Sequence, residues 1–175
     1  MSSKCPLLYD REFDINDWVS EYNALYEDFK KEYIEAGLNY LGIPIKFKRK
    51  PLVNNRSNSF YHLTTGHEKT ITSDEERVPD TKRIRKFYYP KIIINNYDCS
   101  KGCCSGILRW FEKKKDNKIF AYLYFNEEKY VVILEYRPNK RYFLFKTAYY
   151  VNYRRQRELF IESYEKNKEY NPLTK

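Results

Sequence analysis

The chain has 175 residues, a length that suits one domain with a hydrophobic core of its own. Hydrophobic residues make up 42% of it, which excludes a globally disordered chain. Lysine and arginine number 33 against 24 aspartate and glutamate residues, and the net charge of +9 favours a polyanionic partner such as nucleic acid.

Several classes of protein lack support in the sequence. No apolar run approaches the roughly 20 residues of a membrane span, and the N-terminus lacks the apolar core of a signal peptide. Phosphate-binding loops, dinucleotide fingerprints, hydrolase elbows and zinc-protease motifs are all missing from the sequence. We therefore expect a cytoplasmic protein with no membrane partner, no cofactor and no metal site.

Residues 14–36 have the pattern of an amphipathic helix. Asp14 or Asn16 can cap its start, and Gly37 is suited to end it. Its apolar side chains recur every three or four residues, at Trp18, Tyr22, Leu25, Phe29 and Tyr33. This stripe predicts a helix that packs against a sheet or a partner.

The middle of the chain is less regular. Residues 38–60 predict an edge strand and a loop, because two prolines interrupt a short alternation. Residues 75–86 include Arg77, Arg83 and Arg85. The part of this segment that follows Pro79 is predicted to be helical. The apolar residues 87–96 predict a buried segment. We expect residues 1–59 to pack on a core formed by residues 60–175.

Strand-like segments follow one another closely in the last third. Short turns between them predict antiparallel neighbours; the segments are 107–111, 119–125, 130–136 and 141–149. Strict alternation in the last segment places Phe143, Phe145, Thr147 and Tyr149 on one face. A basic helix is predicted over 152–168, with an apolar side of Leu159, Phe160, Ser163 and Tyr164. The whole pattern predicts an α+β fold, a small antiparallel β-meander sheet flanked by N-terminal and C-terminal helices.

Four cysteines raise the question of a metal site. They are Cys5, Cys99, Cys103 and Cys104. A closed zinc site needs four ligands, and the chain has no second closely spaced cysteine pair. The spacing therefore favours a reduced loop over a metal site.

His62 and the arginines are the candidates for chemistry. A histidine exchanges a proton near neutral pH, although a structural role is the commoner one for a single histidine such as His62. The second histidine, His67, lies in a polar stretch. Arginine side chains bind phosphate bidentately or form a solvated basic face. The arginines that open the last helix, Arg154, Arg155 and Arg157, oppose its dipole and favour a compensating anion.

The order of these segments resembles one group of nucleases. The segments are FYHLT at 60–64, ERVPD at 76–80, a strand with Trp110, YVVIL at 130–134, YFLFKTAY at 142–149 and the basic last helix. Together they resemble the barnase–EndoU–colicin–RelE group, small nucleases associated with phages and mobile elements. The resemblance covers about residues 60–165. The N-terminal helix and the cysteine loop depart from the group.

The resemblance implies a compact α+β endoribonuclease that works without metal and acts as a toxin. The 2′-OH of the RNA would attack the adjacent phosphate. His62 would be the general acid or base, Arg77, Arg83 or Arg85 would hold the phosphate, and Thr147 with Tyr149 would position it. Further RNA contacts would come from Arg141, Arg154, Arg155 and Arg157. The expected partners are RNA, such as tRNA or mRNA, and a cognate antitoxin or host protein. The alternative is a non-catalytic phage or mobile-element protein that binds a host protein or nucleic acid.

Overall fold

The computed structural model describes residues 8–66, 78–98 and 106–174, and within these ranges the fold is α+β, as predicted. Its helices are α1 (Trp18–Phe29), α2 (Asn58–Thr64), α3 (Thr81–Arg85), α4 (Tyr89–Asn95) and α5 (Arg154–Asn167). Its strands are β1 (Asn39–Tyr40), β2 (Ile43–Lys46), β3 (Thr65–Gly66), β4 (Val78–Pro79), β5 (Ile107–Lys113), β6 (Ile119–Phe125), β7 (Tyr130–Arg137) and β8 (Tyr142–Tyr150). In these three ranges, none of the helices is both long and apolar enough to cross a bilayer.

The main sheet contains six strands in the order β1-β2-β8-β7-β6-β5. Strands β5 to β8 form the predicted antiparallel meander, with full pairing from β5 to β8. The prediction of a purely antiparallel sheet is wrong at one edge, because β2 pairs with β8 in parallel. No hairpin connects these two strands; a long stretch of chain separates them, so either orientation was open to them. β3 and β4 form a separate two-stranded sheet.

The two faces of the six-stranded sheet pack against different elements. The larger core lies on the face that carries Ala121, Leu123 and Phe125, and it includes residues from α1, α2 and α4. The opposite face carries Tyr122 and Tyr124, and α5 covers part of it. Successive side chains of β6 therefore alternate between the two cores.

The N-terminal helix is part of the larger core. Leu25, Phe29 and Tyr33 of the predicted stripe are buried, and the α-helix continues as a π-helical turn over Lys30–Glu35. The helix ends before Gly37, whose φ of +65° is easily adopted by glycine. Tyr33 donates a hydrogen bond to the carbonyl of Phe87, which joins the helix to the segment before α4.

α5 lies on the second face of the sheet through an aromatic contact. Trp110 of β5 donates through Nε1 to Ser163 Oγ at 3.0 Å, and Phe160 packs beside it. Ser163 in turn donates to Glu112 Oε2 at 3.2 Å. The predicted apolar side is right for Phe160, Ser163 and Tyr164 but wrong for Leu159, which is 47% exposed because it lies beside the contact stripe.

Candidate functional site

Arg83 connects three segments that are far apart in the sequence. It lies in α3, which begins after Asp80, whose Oδ1 accepts hydrogen bonds from the amides of Lys82 and Arg83. Arg83 Nη1 donates to the carbonyl of His62 at 3.0 Å and to the carbonyl of Ala148 at 3.4 Å. Its guanidinium also lies 5.5 Å from the ring centroid of Tyr149. α2, α3 and β8 thus meet at one side chain.

The two carbonyls that Arg83 binds lie where a helix ends and where the pairing of one strand edge has stopped. His62 is in the last turn of α2, where carbonyls have no amide four residues ahead in the helix. Ala148 lies beyond the residues of β8 that pair with β2, which are Phe143 and Leu144. Burial lowers the pKa of Arg83, while Tyr130 and Asp80 raise it. A guanidinium nevertheless stays charged at physiological pH, so the contacts with the carbonyls are charge-assisted.

A cleft of about 240 Å³ opens beside Arg83, between α3, the end of β8 and the start of α5. Its lining combines cations, one carboxylate, tyrosines and amides: Gly66, Asp80, Lys82, Arg83, Tyr149, Tyr150, Asn152, Tyr153 and Gln156. A Cβ atom at Gly66 would lie 2.9 Å from Asp80 Oδ2, so the Asp80 side chain comes close to the backbone at this wall of the cleft. The cleft is therefore built from α3 and β8, two of the segments that Arg83 connects, together with residues of β3 and α5.

The cleft has the groups that bind an oxyanion. Lys82 and Arg83 supply positive charge, and Tyr149 supplies a hydroxyl. Burial raises the pKa of Tyr149, partly offset by Arg83, so the hydroxyl remains protonated at neutral pH. Gln156 Nε2 donates to that hydroxyl oxygen at 3.2 Å and leaves its proton available for an acceptor. The tyrosine rings offer surfaces on which a base can stack.

His62 contributes to this arrangement through its backbone. Its carbonyl accepts from Arg83, and its half-buried ring lies 6.1 Å from the ring of Tyr61, measured between centroids. The described residues that line the cleft do not include its imidazole. Arg83 thus joins the main chain of His62 to that of Ala148 in β8, whereas the predicted site used the His62 imidazole and the Thr147 side chain.

Thr147 lies on a different face from the one that strict alternation predicts. Ile133 pairs with Thr147, whereas Leu134 pairs with Phe145, so Lys146 is the extra residue of a β-bulge. Phe143 and Phe145 belong to the larger core, and Thr147 shares the opposite face with Tyr149. The prediction that all four side chains share one face is wrong, because the bulge shifts the alternation by one residue.

The remaining predicted arginines lie elsewhere. Arg85 is exposed in α3, two residues from Arg83, and Arg141 is exposed after the turn that precedes β8. Arg154 pairs with Glu158 at 2.8 Å, and Arg155 pairs with Glu162 at 3.3 Å, within the same helix. Arg157 is half-buried, and its charge lowers the pKa of Tyr124 against the larger effect of burial. Arg77, His67 and the four cysteines, Cys5, Cys99, Cys103 and Cys104, lie outside the described residues.

Sequence reasoning missed one charged group, Glu135 in β7. Its side chain is 2% exposed, and it contacts Arg137 Nη2 at 2.8 Å and Lys146 Nζ at 3.4 Å. The signal was present in the sequence, because Glu135 is the single carboxylate within the apolar strand YVVILEYR. A charge in such a strand needs a partner when it is buried.

Comparisons with known proteins do not identify the chain. No protein-family model matches it, and neither does any curated protein or solved structure.

Proposed function

We propose that this protein is a metal-independent endoribonuclease whose substrate phosphate binds in the cleft beside Arg83. The observation that carries the proposal is the position of Arg83, bound to α2 and β8 at the edge of a cleft with Lys82 and Tyr149. The net charge of +9 supports an RNA substrate, because it attracts a polyanion over the whole surface.

The reaction needs only protein groups and RNA. The 2′-oxygen forms a bond to phosphorus while the bond from phosphorus to the 5′-oxygen breaks, leaving a 2′,3′-cyclic phosphate and a 5′-hydroxyl. A base takes the proton of the 2′-OH, and an acid gives one to the leaving 5′-oxygen. Lys82, Arg83 and the Tyr149 hydroxyl stabilise the charge that develops on the phosphate.

Two residues are candidates for the proton transfers. His62 is held beside Arg83 through its carbonyl, and its imidazole has the suitable chemistry. Asp80 lines the cleft, with Oδ2 3.6 Å from Arg83 Nε. His62 is assigned the main role because an imidazole can both accept and give a proton, and this role requires the imidazole to turn toward the cleft when RNA is bound.

RNA cleavage in EDTA tests the proposal. We expect the wild-type protein to leave 2′,3′-cyclic ends, and His62→Ala to lower the rate at least about 100-fold. Lys82→Gln should lower it about tenfold through the lost cation. Asp80→Asn keeps the helix cap and reports whether that carboxylate transfers a proton.

Lys115→Gln is the matched control, because it removes the same charge at an exposed turn between β5 and β6. Its rate should equal that of the wild type. If intact RNA survives the wild-type protein, or if the His62 and Lys82 variants cleave as fast as the control, the proposed activity is wrong.

A second candidate function is non-catalytic binding of a host protein through the start of the chain. The observation that favours it is an exposed apolar surface: Ile15 is 64% exposed and Val19 is 72% exposed. They lie beside a groove of about 430 Å³ whose walls include Trp18 and Tyr22. Cross-linking from position Ile15 in cells, compared between the wild type and Val19→Asp, tests this function separately from cleavage.

A further inference from the structure

One end of the sheet concentrates positive charge away from the cleft beside Arg83. The start of β6, the end of β7 and the turn into β8 bring together Lys118, Arg137, Lys140 and Arg141. Lys118 is paired with Asp116 at 2.5 Å. The other carboxylate here is Glu135, which lies between Arg137 and Lys146.

Glu135 holds Arg137 in place without using all of its donors. The carboxylate is 98% buried as a side chain, and its Oε1 lies 2.8 Å from Arg137 Nη2. Arg137 Nε is buried and has no hydrogen-bond partner among the described residues, and Glu135 Oε1 is in charge contact without hydrogen-bond alignment. The Arg137 side chain as a whole is 43% exposed, so part of it is open to a ligand from solution.

A cavity of about 230 Å³ lies at this point. Its walls include Lys118, Glu135, Arg137, Lys140 and Tyr142, together with the residues of the β7–β8 turn. Lys46 Nζ, in β2, lies over the ring of Tyr142, 4.7 Å from the ring centroid. It adds one more cation near the cavity. The cavity thus combines an oriented guanidinium with two lysines from different turns.

This chemistry suits a phosphate group. A guanidinium presents its N–H donors as a planar fork that matches the oxygens of phosphate, and lysines add charge without fixing geometry. Glu135 serves as the internal counter-ion that orients Arg137, while the surrounding cations exceed it in number and keep the site attractive to anions.

We propose that the cavity at the β7–β8 turn is a phosphate-binding site, centred on Arg137 with Lys118 and Lys140. The phosphate belongs either to a small phosphate ester or to a nucleic-acid backbone. The site lies apart from the cleft beside Arg83, and the proposal does not depend on RNA cleavage.

Nuclear magnetic resonance titration of the full chain tests this site. Inorganic phosphate is added in one arm and a short single-stranded DNA, which has no 2′-OH to attack, in the other, both at constant ionic strength. We expect saturable shifts of the amides of Lys118, of Arg137 and of residues 139–141, since Pro138 has no amide proton. Shifts with inorganic phosphate indicate a small ester as the source, and shifts with the DNA alone indicate a nucleic-acid backbone.

Two variants and a control decide the outcome. Arg137→Gln should weaken binding at least about tenfold, since a charge-assisted contact is lost. Because Lys140 is exposed, Lys140→Gln should weaken binding without a risk to folding. Lys115→Gln removes an equal charge from the neighbouring turn and should bind as the wild type does. Equal loss in all three variants, or no saturable shift in either arm of the wild type, overturns the proposal.

Discussion

At the scale of single residues, the environment of a charge decides its role. Arg83 and Arg85 are two residues apart in α3, yet Arg83 is bound to two carbonyls and Arg85 is exposed. The difference arises because α3 packs one side against α2 and β8 and leaves the other side to solvent. The same logic holds for Glu135, whose burial is compatible with its charge because two cations lie beside it.

Replacing Arg83 should destabilise the fold more than replacing Arg85. Arg83→Gln loses the charge-assisted contacts with the His62 and Ala148 carbonyls, and we expect a loss of about 2 kcal/mol in the free energy of unfolding. Arg85→Gln makes the same chemical change at an exposed position and should stay within about 0.5 kcal/mol of the wild type. Urea denaturation measures both, and equal losses would show that the contacts made by Arg83 do not stabilise the fold.

At the scale of elements, the bulge in β8 determines which residues meet. Lys146 is the extra residue opposite Ile133 and Leu134. It lets Phe145 and Ala148 both enter the larger core although they are three positions apart, an odd spacing that would otherwise put them on opposite faces. It also places Thr147 and Tyr149 on the opposite face, so Tyr149 can reach the cleft beside Arg83. One unpaired residue thus links the packing of the core to the geometry of the site.

Deletion of Lys146 should be far more damaging than removal of its side chain. Without the bulge, one half of β8 turns its core residues toward the wrong face, and we expect a loss of at least about 4 kcal/mol or failure to fold. Lys146→Ala keeps the bulge and loses a half-exposed ion pair with Glu135, which should cost about 1 kcal/mol or less. Thermal unfolding of both variants measures the difference; a deletion variant as stable as Lys146→Ala would show that the register is not fixed by this residue.

At the scale of the whole molecule, aromatic side chains, tyrosines among them, make up much of the interior. The chain has 19 tyrosines and 11 phenylalanines, and many aromatic rings contact one another across the larger core, as Phe29 and Phe60 do. Burial raises the pKa of several tyrosines, including Tyr33 and Tyr130, and raises that of Tyr40 to about 12. The fold therefore depends on phenols that stay neutral.

This dependence predicts a loss of stability in alkaline solution. A raised folded-state pKa means that the folded chain keeps protons that the unfolded chain releases. The stabilising contribution is complete below about pH 10, the ordinary pKa of tyrosine, and it is lost as the pH rises toward about 12, the pKa of Tyr40. Urea denaturation across this range, with tyrosinate absorbance as a second readout, measures it. A free energy of unfolding that stays constant over the range would contradict the assigned burial.

Local patterns predicted most of the elements correctly. The stripe of Leu25, Phe29 and Tyr33, the meander of short-linked strands and the basic last helix all appear as expected. Each depends on contacts between residues close in sequence, where periodicity and turn length carry the information. The parallel pairing of β2 with β8 was not predictable in this way, because no local connection sets it.

The sequence by itself determined the fold class, the order of the meander and the excess of positive charge. The tertiary structure alone decided which charged groups meet: Arg83 with the carbonyls of His62 and Ala148, and Glu135 with Arg137 and Lys146. It also decided the face on which Thr147 lies, through one bulged residue. The physical reason is that secondary structure follows from local periodicity, whereas a site depends on register and packing between segments distant in the chain.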